Sequence, residues 1–252
     1  MPMIKCVCGE PISGADDDTL FTSLRAHSDA KHADLSISDE QLRGVVAARS
    51  RMSEWDGTLE TLSNAPEIRP LTPERRDDWL RFFDRDAFMD NPMWADCYCV
   101  FYRFSGTNEE WEHRTAKENR EDQSRAIERG EVSGLLAYVD DKPVAWCHAA
   151  PRAYLPGLDR NAEFRTDDPA KVGSIVCFVV AAPYRGQGVA SRLLDAACGH
   201  LRAKGMAIAE AYPPKEPASD ARAYHGPLPM YLSNGFAVYR EEEHYVVVRR
   251  AL

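Results

Sequence analysis

Features that would point to a membrane, to export or to nucleic acid are scarce in this sequence. It has no apolar run long enough to span a bilayer, and its first residues form no apolar signal segment. Its 31 Lys and Arg residues are outnumbered by 40 Asp and Glu residues, for a formal charge of −9. Because phosphate neutralisation needs clustered positive charge, we expect neither a nucleic-acid nor a membrane partner. Seven cysteines without a repeated spacing favour reduced thiols and a cytoplasmic protein.

The most informative stretch of the chain runs from residue 175 to residue 204. Residues 175–180, IVCFVV, have the β-branched and apolar character of a strand. Residues 189–204 repeat apolar side chains with the spacing of one helix face. Gly186 and Gly188 lie in the turn between them. Since the free N–H groups and the dipole of a helix N-terminus favour a phosphate, this pattern predicts an anion site.

Three ligand classes use such a turn: nucleoside triphosphates, dinucleotides and coenzyme A. A P-loop is excluded because no Lys-Ser or Lys-Thr pair follows the glycines. The first two glycines of the dinucleotide pattern G-x-G-x-x-G are present as Gly186 and Gly188, but Ser191 replaces the third. Glu210 on the next strand could serve as the acidic residue that this pattern requires. Too little chain follows Glu210 for a doubly wound sheet. The pyrophosphate of coenzyme A is therefore the favoured ligand.

Two segments resemble the GNAT superfamily of N-acetyltransferases. The segment from Arg185 to Ala190, RGQGVA, is similar to the family motif R/Q-x-x-G-x-G/A. About forty residues later, the segment from Tyr231 to Phe236, YLSNGF, is similar to the family's Y-x-x-x-G-F segment. The resemblance implies an α/β (α+β) fold with a mixed, mostly antiparallel sheet, and acetyl-CoA as cosubstrate.

The resemblance also implies roles for individual residues. Backbone groups of the strand would hold the pantetheine arm and the thioester carbonyl, and the turn would hold the pyrophosphate. The strand residues are Phe178, Val179 and Val180, and the turn residues are Arg185, Gly186, Gln187, Gly188, Val189, Ala190 and Ser191. Tyr231 is the expected general acid for the departing thiolate, because a phenol is protonated at neutral pH. Its alternative role is to pack beneath the cofactor.

The general base is less clearly indicated. No acidic residue lies between Lys171 and Ala181, so the motif strand offers no carboxylate. Glu210 on the following strand and His148 at the end of an earlier strand are the two candidates. His148 is equally suited to a structural hydrogen bond, and an amine that arrives neutral needs no base.

An aromatic stretch, residues 93–104, matches the region that forms the acceptor wall in this fold. Trp94, Tyr98 and Tyr102 are the expected pocket residues, together with His148, and core packing is the alternative. Cys97 and Cys99 form a C-x-C pair for which packing or reduced thiols are favoured over metal. A covalent acetyl-cysteine at Cys177 is disfavoured, because a buried strand thiol is usually inert.

The first residues predict a separate small unit. Two thiolates and two imidazoles suit tetrahedral zinc, and Cys6, Cys8, His27 and His32 supply them. The unit resembles short C-x-C-G…H…H zinc modules attached to bacterial enzymes, and a helical hairpin without metal is the alternative. We expect a helical zinc module over residues 1–52, a linker over 53–66 and the acetyltransferase domain over 67–252.

Local signals predict several elements. We expect helices at residues 16–32 and 38–50, an edge strand that begins at Glu67 and contains Pro70, and one long helix from Thr107 to Gly130. A hairpin is expected to turn at Asp140 and Asp141.

These observations favour an enzyme that transfers acetyl from acetyl-CoA to the primary amine of a small molecule by direct attack on the thioester. A non-catalytic acyl-CoA sensor that uses the zinc module to bind a partner is one alternative. A protein or peptide N-acetyltransferase is another, and a homodimer is left open.

Overall fold

The computed structural model describes residues 2–6, 8–33, 37–51, 57–216 and 223–252. Its N-terminal module consists of a two-stranded antiparallel hairpin, β1 (Met3–Lys5) and β2 (Pro11–Ser13), and two helices, α1 (Asp17–Lys31) and α2 (Asp39–Arg51). Both helices begin where the sequence predicts. The hairpin was not predicted, because strands of three residues are too short to show a two-residue alternation.

The larger domain is built on a seven-stranded sheet. Its elements are β3 (Glu67–Pro70), α3 (Arg76–Arg81), α4 (Asn108–Glu112), α5 (Ala116–Glu128), β4 (Gly134–Val139), β5 (Lys142–Pro151), β6 (Val172–Val180), α6 (Val189–Ala203), β7 (Ile208–Ala211), α7 (Leu228–Ser233), β8 (Ala237–Glu241) and β9 (Val246–Ala251). A π-helical turn, Phe82–Asp86, extends α3. Among the described residues, the helices are too short or too polar to cross a bilayer.

The strand order is β3-β4-β5-β6-β7-β9-β8, and only the neighbours β6 and β7 run parallel. The predicted mixed, mostly antiparallel sheet is thereby confirmed. β3 is an edge strand, where Pro70 removes no hydrogen bond from a central ladder. Asp140 and Asp141, both in the left-handed region, form the turn between β4 and β5 as expected.

Helices cover both faces of the sheet. On one face α6 packs its apolar side, including Leu193, Ala197 and Leu201, against strand residues such as Ile175. On the other face α3 and α5 enclose an aromatic core around Trp79. The buried apolar area of these two layers is the main stabilising contribution to the fold.

The prediction of one long helix from Thr107 to Gly130 is wrong, because this segment forms two helices. Thr107 starts α4 with a capping box to Glu110, and Thr115 starts α5 with a second capping box to Glu118. The second box gives the backbone a local alternative to continuous helix. The chain therefore turns between Glu112 and Thr115.

The N-terminal module is not separate from the larger domain. Met93 of the larger domain packs against the module's apolar core. Gln41 on α2 donates a hydrogen bond from Nε2 to the Glu112 carbonyl oxygen at 2.6 Å. The module therefore lies beside the segment that the sequence predicts as an acceptor wall.

Candidate active site

A pocket of about 940 Å³ opens where β6 and β7 separate. The two strands are paired only over residues 172–175 and 208–211, and β6 continues to Val180 without β7 beside it. Cys177, Phe178, Val179 and Val180 line the pocket. The last residues of the motif strand are therefore separated from β7.

The backbone amides at the free end of β6 point to opposite sides of the strand. The Ala181 amide donates to the Val144 carbonyl oxygen of β5 at 3.0 Å, whereas the Phe178 amide donates to the Tyr224 carbonyl oxygen at 2.6 Å on the opposite side. Since amides alternate sides along a strand, the Val180 N–H points to the same side as that of Phe178. Of the three strand residues predicted to hold coenzyme A, Phe178 therefore has its N–H engaged by the loop at Tyr224.

The turn after β6 places a helix N-terminus at the other end of the pocket. Gly186 and Gly188 have φ of +73° and +77°, and a Cβ on either would meet no atom within 4 Å. α6 begins at Val189 and no side chain caps its first amides. Gly188, Val189, Ala190 and Ser191 line the pocket. These features together form the geometry of an anion site.

The side chains of Arg185 and Gln187 hold the turn in place. Arg185 pairs in a bidentate manner with Asp90, at 2.5 and 3.1 Å, and donates to the Val180 carbonyl oxygen. Gln187 binds the linker, donating to the Glu60 carbonyl oxygen at 2.5 Å and accepting from the Leu62 amide at 3.1 Å. The turn thus offers its backbone to a ligand, while these two side chains contact protein.

The model of the acetyltransferase (GNAT) family matches residues 91–225, just over half of the 252 residues. The chain belongs to the GNAT acetyltransferase family. The match runs through the aromatic stretch, β6, the glycine turn and α6, which are the elements around the pocket. No curated protein matches the chain.

Solved GNAT structures are similar to this chain at low sequence identity. The PaiA N-acetyltransferase of Thermoplasma acidophilum, in complex with coenzyme A, is 15% identical and covers 75% of this chain and 100% of its own, with a TM-score of 0.44. The GNAT domain of PAT from S. lividans is 18% identical and covers 74% and 90%, with a TM-score of 0.45. The ribosomal-protein-alanine N-acetyltransferase of Brucella melitensis is 16% identical and covers 74% and 99%, with a TM-score of 0.43.

Aromatic side chains line part of the pocket. Trp94 and Tyr102 line it as expected. Trp111 and Tyr224 also line it and were not predicted, because Trp111 falls in the predicted long helix and Tyr224 lies in a loop. The rings of Trp94 and Tyr224 are 6.2 Å apart, and the Tyr102 and Tyr224 hydroxyls are 3.1 Å apart.

Two predicted pocket residues lie behind this wall, which corrects their assignment. Tyr98 is buried and donates its hydroxyl to Asp84 Oδ1 at 2.8 Å, so it belongs to the core. His148 is 1% exposed and contacts the pocket through Cys99, whose Sγ lies 3.5 Å from His148 Nδ1. Cys99 itself lines the pocket.

Glu210 does not face the cleft, which corrects the expectation of a base there. Its side chain is fully buried. Oε1 accepts the Tyr212 hydroxyl at 2.7 Å, and Oε2 accepts Arg249 Nε at 2.7 Å. Since removing one partner of a buried ion pair is strongly destabilising, this group is suited to holding β7 and β9 together.

Tyr231 lies directly behind the pocket wall at Gly226. A Cβ on Gly226 would be 3.3 Å from the Tyr231 ring. The Tyr231 hydroxyl donates to the His225 carbonyl oxygen at 2.5 Å, and burial raises the pKa of the phenol well above 10. The phenol thus keeps its proton at neutral pH, and that proton is held by a backbone carbonyl.

The four predicted metal ligands of the N-terminal module come together. Their ligand atoms all lie within 4.8 Å of one another. Cys6 Sγ is 3.2 Å from His32 Nε2, and Cys8 Sγ is 3.5 Å from His27 Nε2. Glu10 lies 3.6 Å from the other ring nitrogen of His27. The module also reaches the pocket, because Ile37 and Gln41 are among its lining residues.

Proposed function

We propose that this protein transfers acetyl from acetyl-CoA to the primary amine of a small molecule. Membership of the acetyltransferase family supports the reaction class. The observation that carries the proposal is that one pocket joins the uncapped start of α6 to the aromatic wall of Trp94, Tyr102 and Trp111. The first end suits a pyrophosphate, and the second suits an amine.

The residues at the two ends would divide the binding of acetyl-CoA. Amides of Val189, Ala190 and Ser191 would hold the pyrophosphate, because they begin a helix and lack a side-chain cap. The Val180 N–H would polarise the thioester carbonyl, since a fixed donor stabilises the oxyanion that forms when the carbonyl is attacked.

The position of the acceptor end between two structural units favours a small substrate over a protein chain. The N-terminal module contributes Ile37 and Gln41 to that end, and Gln41 is tied to Glu112. A pocket bounded by two domains buries most of a small ligand, whereas a peptide needs an open groove.

Release of the CoA thiol tests this function. The full chain is incubated with acetyl-CoA and a panel of small amines, together with peptides that carry free N-termini. We expect thiol release with a subset of the small amines. Preferential reaction with peptides would favour the peptide acetyltransferase, and calorimetric binding of acetyl-CoA without any release would favour the sensor.

We further propose that the module holds one structural zinc ion through Cys6, Cys8, His27 and His32. Zn–S and Zn–N bonds of about 2.3 and 2.0–2.1 Å put tetrahedral ligands roughly 3–4 Å apart. The two Cys-His pairs, at 3.2 and 3.5 Å, fit that spacing. Glu10 is placed to orient the His27 ring, as carboxylates do at zinc sites.

Elemental analysis of the untagged protein tests the zinc proposal. We expect one zinc per chain, and less than that in Cys6→Ala, with a lower melting temperature for the variant. Acid should release the metal, because thiolates bind zinc only when deprotonated. If removal of the metal by a chelator leaves the stability of the wild-type protein unchanged, the proposal is contradicted.

A further inference from the structure

A chain of three hydrogen-bonding side chains runs from the pocket wall into the core. The Tyr102 hydroxyl lies 3.1 Å from the Tyr224 hydroxyl and 2.8 Å from His225 Nε2. Both tyrosines line the pocket, whereas His225 is 1% exposed. The chain therefore joins a buried imidazole to the pocket surface through two phenols.

Backbone contacts hold Tyr224 in this position. Its carbonyl oxygen accepts from the Phe178 amide at 2.6 Å, and the next carbonyl oxygen, that of His225, accepts from the Tyr231 hydroxyl at 2.5 Å. The Tyr224 ring lies 6.2 Å from the Trp94 ring. The phenol is thus placed between β6, where the thioester would lie, and the aromatic wall.

The imidazole at the inner end of the chain stays neutral. Aromatic rings surround it, and those of Tyr102, Tyr224, Phe164 and Tyr245 have their centroids 4.5–5.7 Å from its own. Burial lowers the pKa of His225 to about 3, so the ring carries a single proton at neutral pH. Burial likewise raises the pKa of the Tyr102 and Tyr224 phenols, so both keep their protons.

The single ring proton of His225 sets the direction of the hydrogen bonds. Nδ1 is buried and makes no hydrogen bond with any described residue. A proton there would leave a buried donor unpaired, and buried N–H groups without a partner are rarer in proteins than unused acceptors. A proton on Nε2 is instead donated to the Tyr102 oxygen. Tyr102 then donates to the Tyr224 oxygen, and the Tyr224 O–H is left to point into the pocket.

We propose that the Tyr224 hydroxyl donates a hydrogen bond to a neutral oxygen of the acceptor amine, such as an ether or an amide carbonyl. This inference rests on the proposed function and names its substrate class, a primary amine that also carries such an oxygen. The amine still attacks the thioester directly, and no proton leaves the chain. Tyr102 and His225 are positioning residues, because they fix the direction of the Tyr224 proton.

A neutral oxygen fits the charges of the pocket better than a carboxylate does. Among the described residues, the arginines that line the pocket are Arg114 and Arg185. Each is paired with an aspartate outside the lining, Arg114 with Asp122 at 3.3 Å and Arg185 with Asp90 at 2.5 Å. A carboxylate bound at Tyr224 would leave water without a cation of its own, which is costly, whereas a neutral oxygen needs only the one donor.

Binding of matched amines tests the proposal. Benzyloxyethylamine and phenylbutylamine differ only in an oxygen that replaces a methylene group, as do methoxypropylamine and pentylamine. Calorimetry on the full chain with CoA gives the ratio of the two dissociation constants for each pair. Comparing this ratio between variants cancels the differences in basicity and hydrophobicity between the amines. Tyr224→Phe should shift the ratio by about 3- to 10-fold in favour of the hydrocarbon amine for at least one pair, the range for a hydrogen bond between neutral groups. Tyr154→Phe, which removes an exposed hydroxyl, should not shift it.

The positioning role of His225 has its own readout. His225→Phe should shift the ratio in the same direction as Tyr224→Phe, and His225→Gln, whose amide can donate in place of Nε2, should restore part of it. Ring-nitrogen shifts in NMR of histidine-labelled wild-type protein give the tautomer even if these variants fail to fold. We expect the proton on Nε2, and a proton on Nδ1 would overturn the proposal.

Failure of this inference is distinguishable from failure of the proposed function. Release of the CoA thiol with the same affinity ratios in wild type and Tyr224→Phe would overturn the oxygen site and leave the proposed function standing. The shifted ratio without thiol release from any amine would support the oxygen site and contradict the transfer reaction. Tighter binding of aminobutyrate than of methoxypropylamine would show a preference for a carboxylate and would overturn the neutral-oxygen class.

Discussion

Replacing Gly188 with valine tests the anion site at the start of α6. Gly188 has φ of +77°, lines the pocket and has no atom within 4 Å of where its Cβ would be. The new side chain would therefore meet nothing in the free protein. It would occupy the space through which a pyrophosphate approaches the first amides of α6.

The structure sets the size of the expected effect. If the side chain prevents two of these amides from reaching the phosphates, two hydrogen bonds to a charged group are lost, at about 1.5–3 kcal/mol each. We expect acetyl-CoA to bind about 10²- to 10⁴-fold more weakly. The free energy of unfolding should fall by about 1–2 kcal/mol, because valine must adopt a left-handed conformation.

Gly205 provides a matched control at the other end of the same helix. It has φ of +82°, and its Cβ would also meet no atom within 4 Å. Gly205→Val should lose similar stability and keep its affinity for acetyl-CoA. Isothermal calorimetry gives the affinity, and urea denaturation gives the stability. Equal affinities in folded Gly188→Val and Gly205→Val would refute the anion site.

Two further predictions concern protons. If Tyr231 protonates the departing thiolate, Tyr231→Phe should lower kcat by roughly 10²- to 10⁴-fold. A loss of about 1–3 kcal/mol in unfolding free energy with kcat within a few-fold would instead show that its bond to the His225 carbonyl is structural. Burial lowers the pKa of His200 to about 4. As pH falls, the unfolded chain therefore takes up a proton on this group before the folded protein does. The contribution of the neutral imidazole to the free energy of unfolding is complete above pH 6.5 and is lost as pH falls towards 4. At pH 5 the loss in free energy of unfolding amounts to about 2 kcal/mol. In urea denaturation, His200→Gln should therefore lose less stability between pH 7 and pH 5 than the wild-type protein does.

The sequence predicted the anion site because the signals for it are local. The strand, the two glycines and the first turn of α6 all lie within residues 175–191. Each has a recognisable composition, and their contacts with one another follow from chain connectivity. The four ligands of the N-terminal module are also set by local structure, since the hairpin brings Cys6 and Cys8 beside one end of α1.

The surroundings of Glu210 and His148 depend on contacts with residues that are distant in the sequence. Glu210 looked available from its strand position, but Arg249, 39 residues later, pairs with it. Cys99 and His148 are 49 residues apart, and a bulge in β5 after His148 alters the register there. Such pairings depend on which distant segments become neighbours in the fold, and local residue patterns do not specify that.

The contact of the N-terminal module with the pocket has a consequence for a shortened chain. A protein reduced to residues 67–252 would lack Ile37 and Gln41 and would have a wider, more water-filled pocket. It would also lose Glu60 and Leu62, which Gln187 holds against the glycine turn. Under the proposed function, exchanging the N-terminal module between related chains would change acceptor preference while leaving the seven-stranded sheet untouched. Selectivity would then be inherited as a unit separate from catalysis.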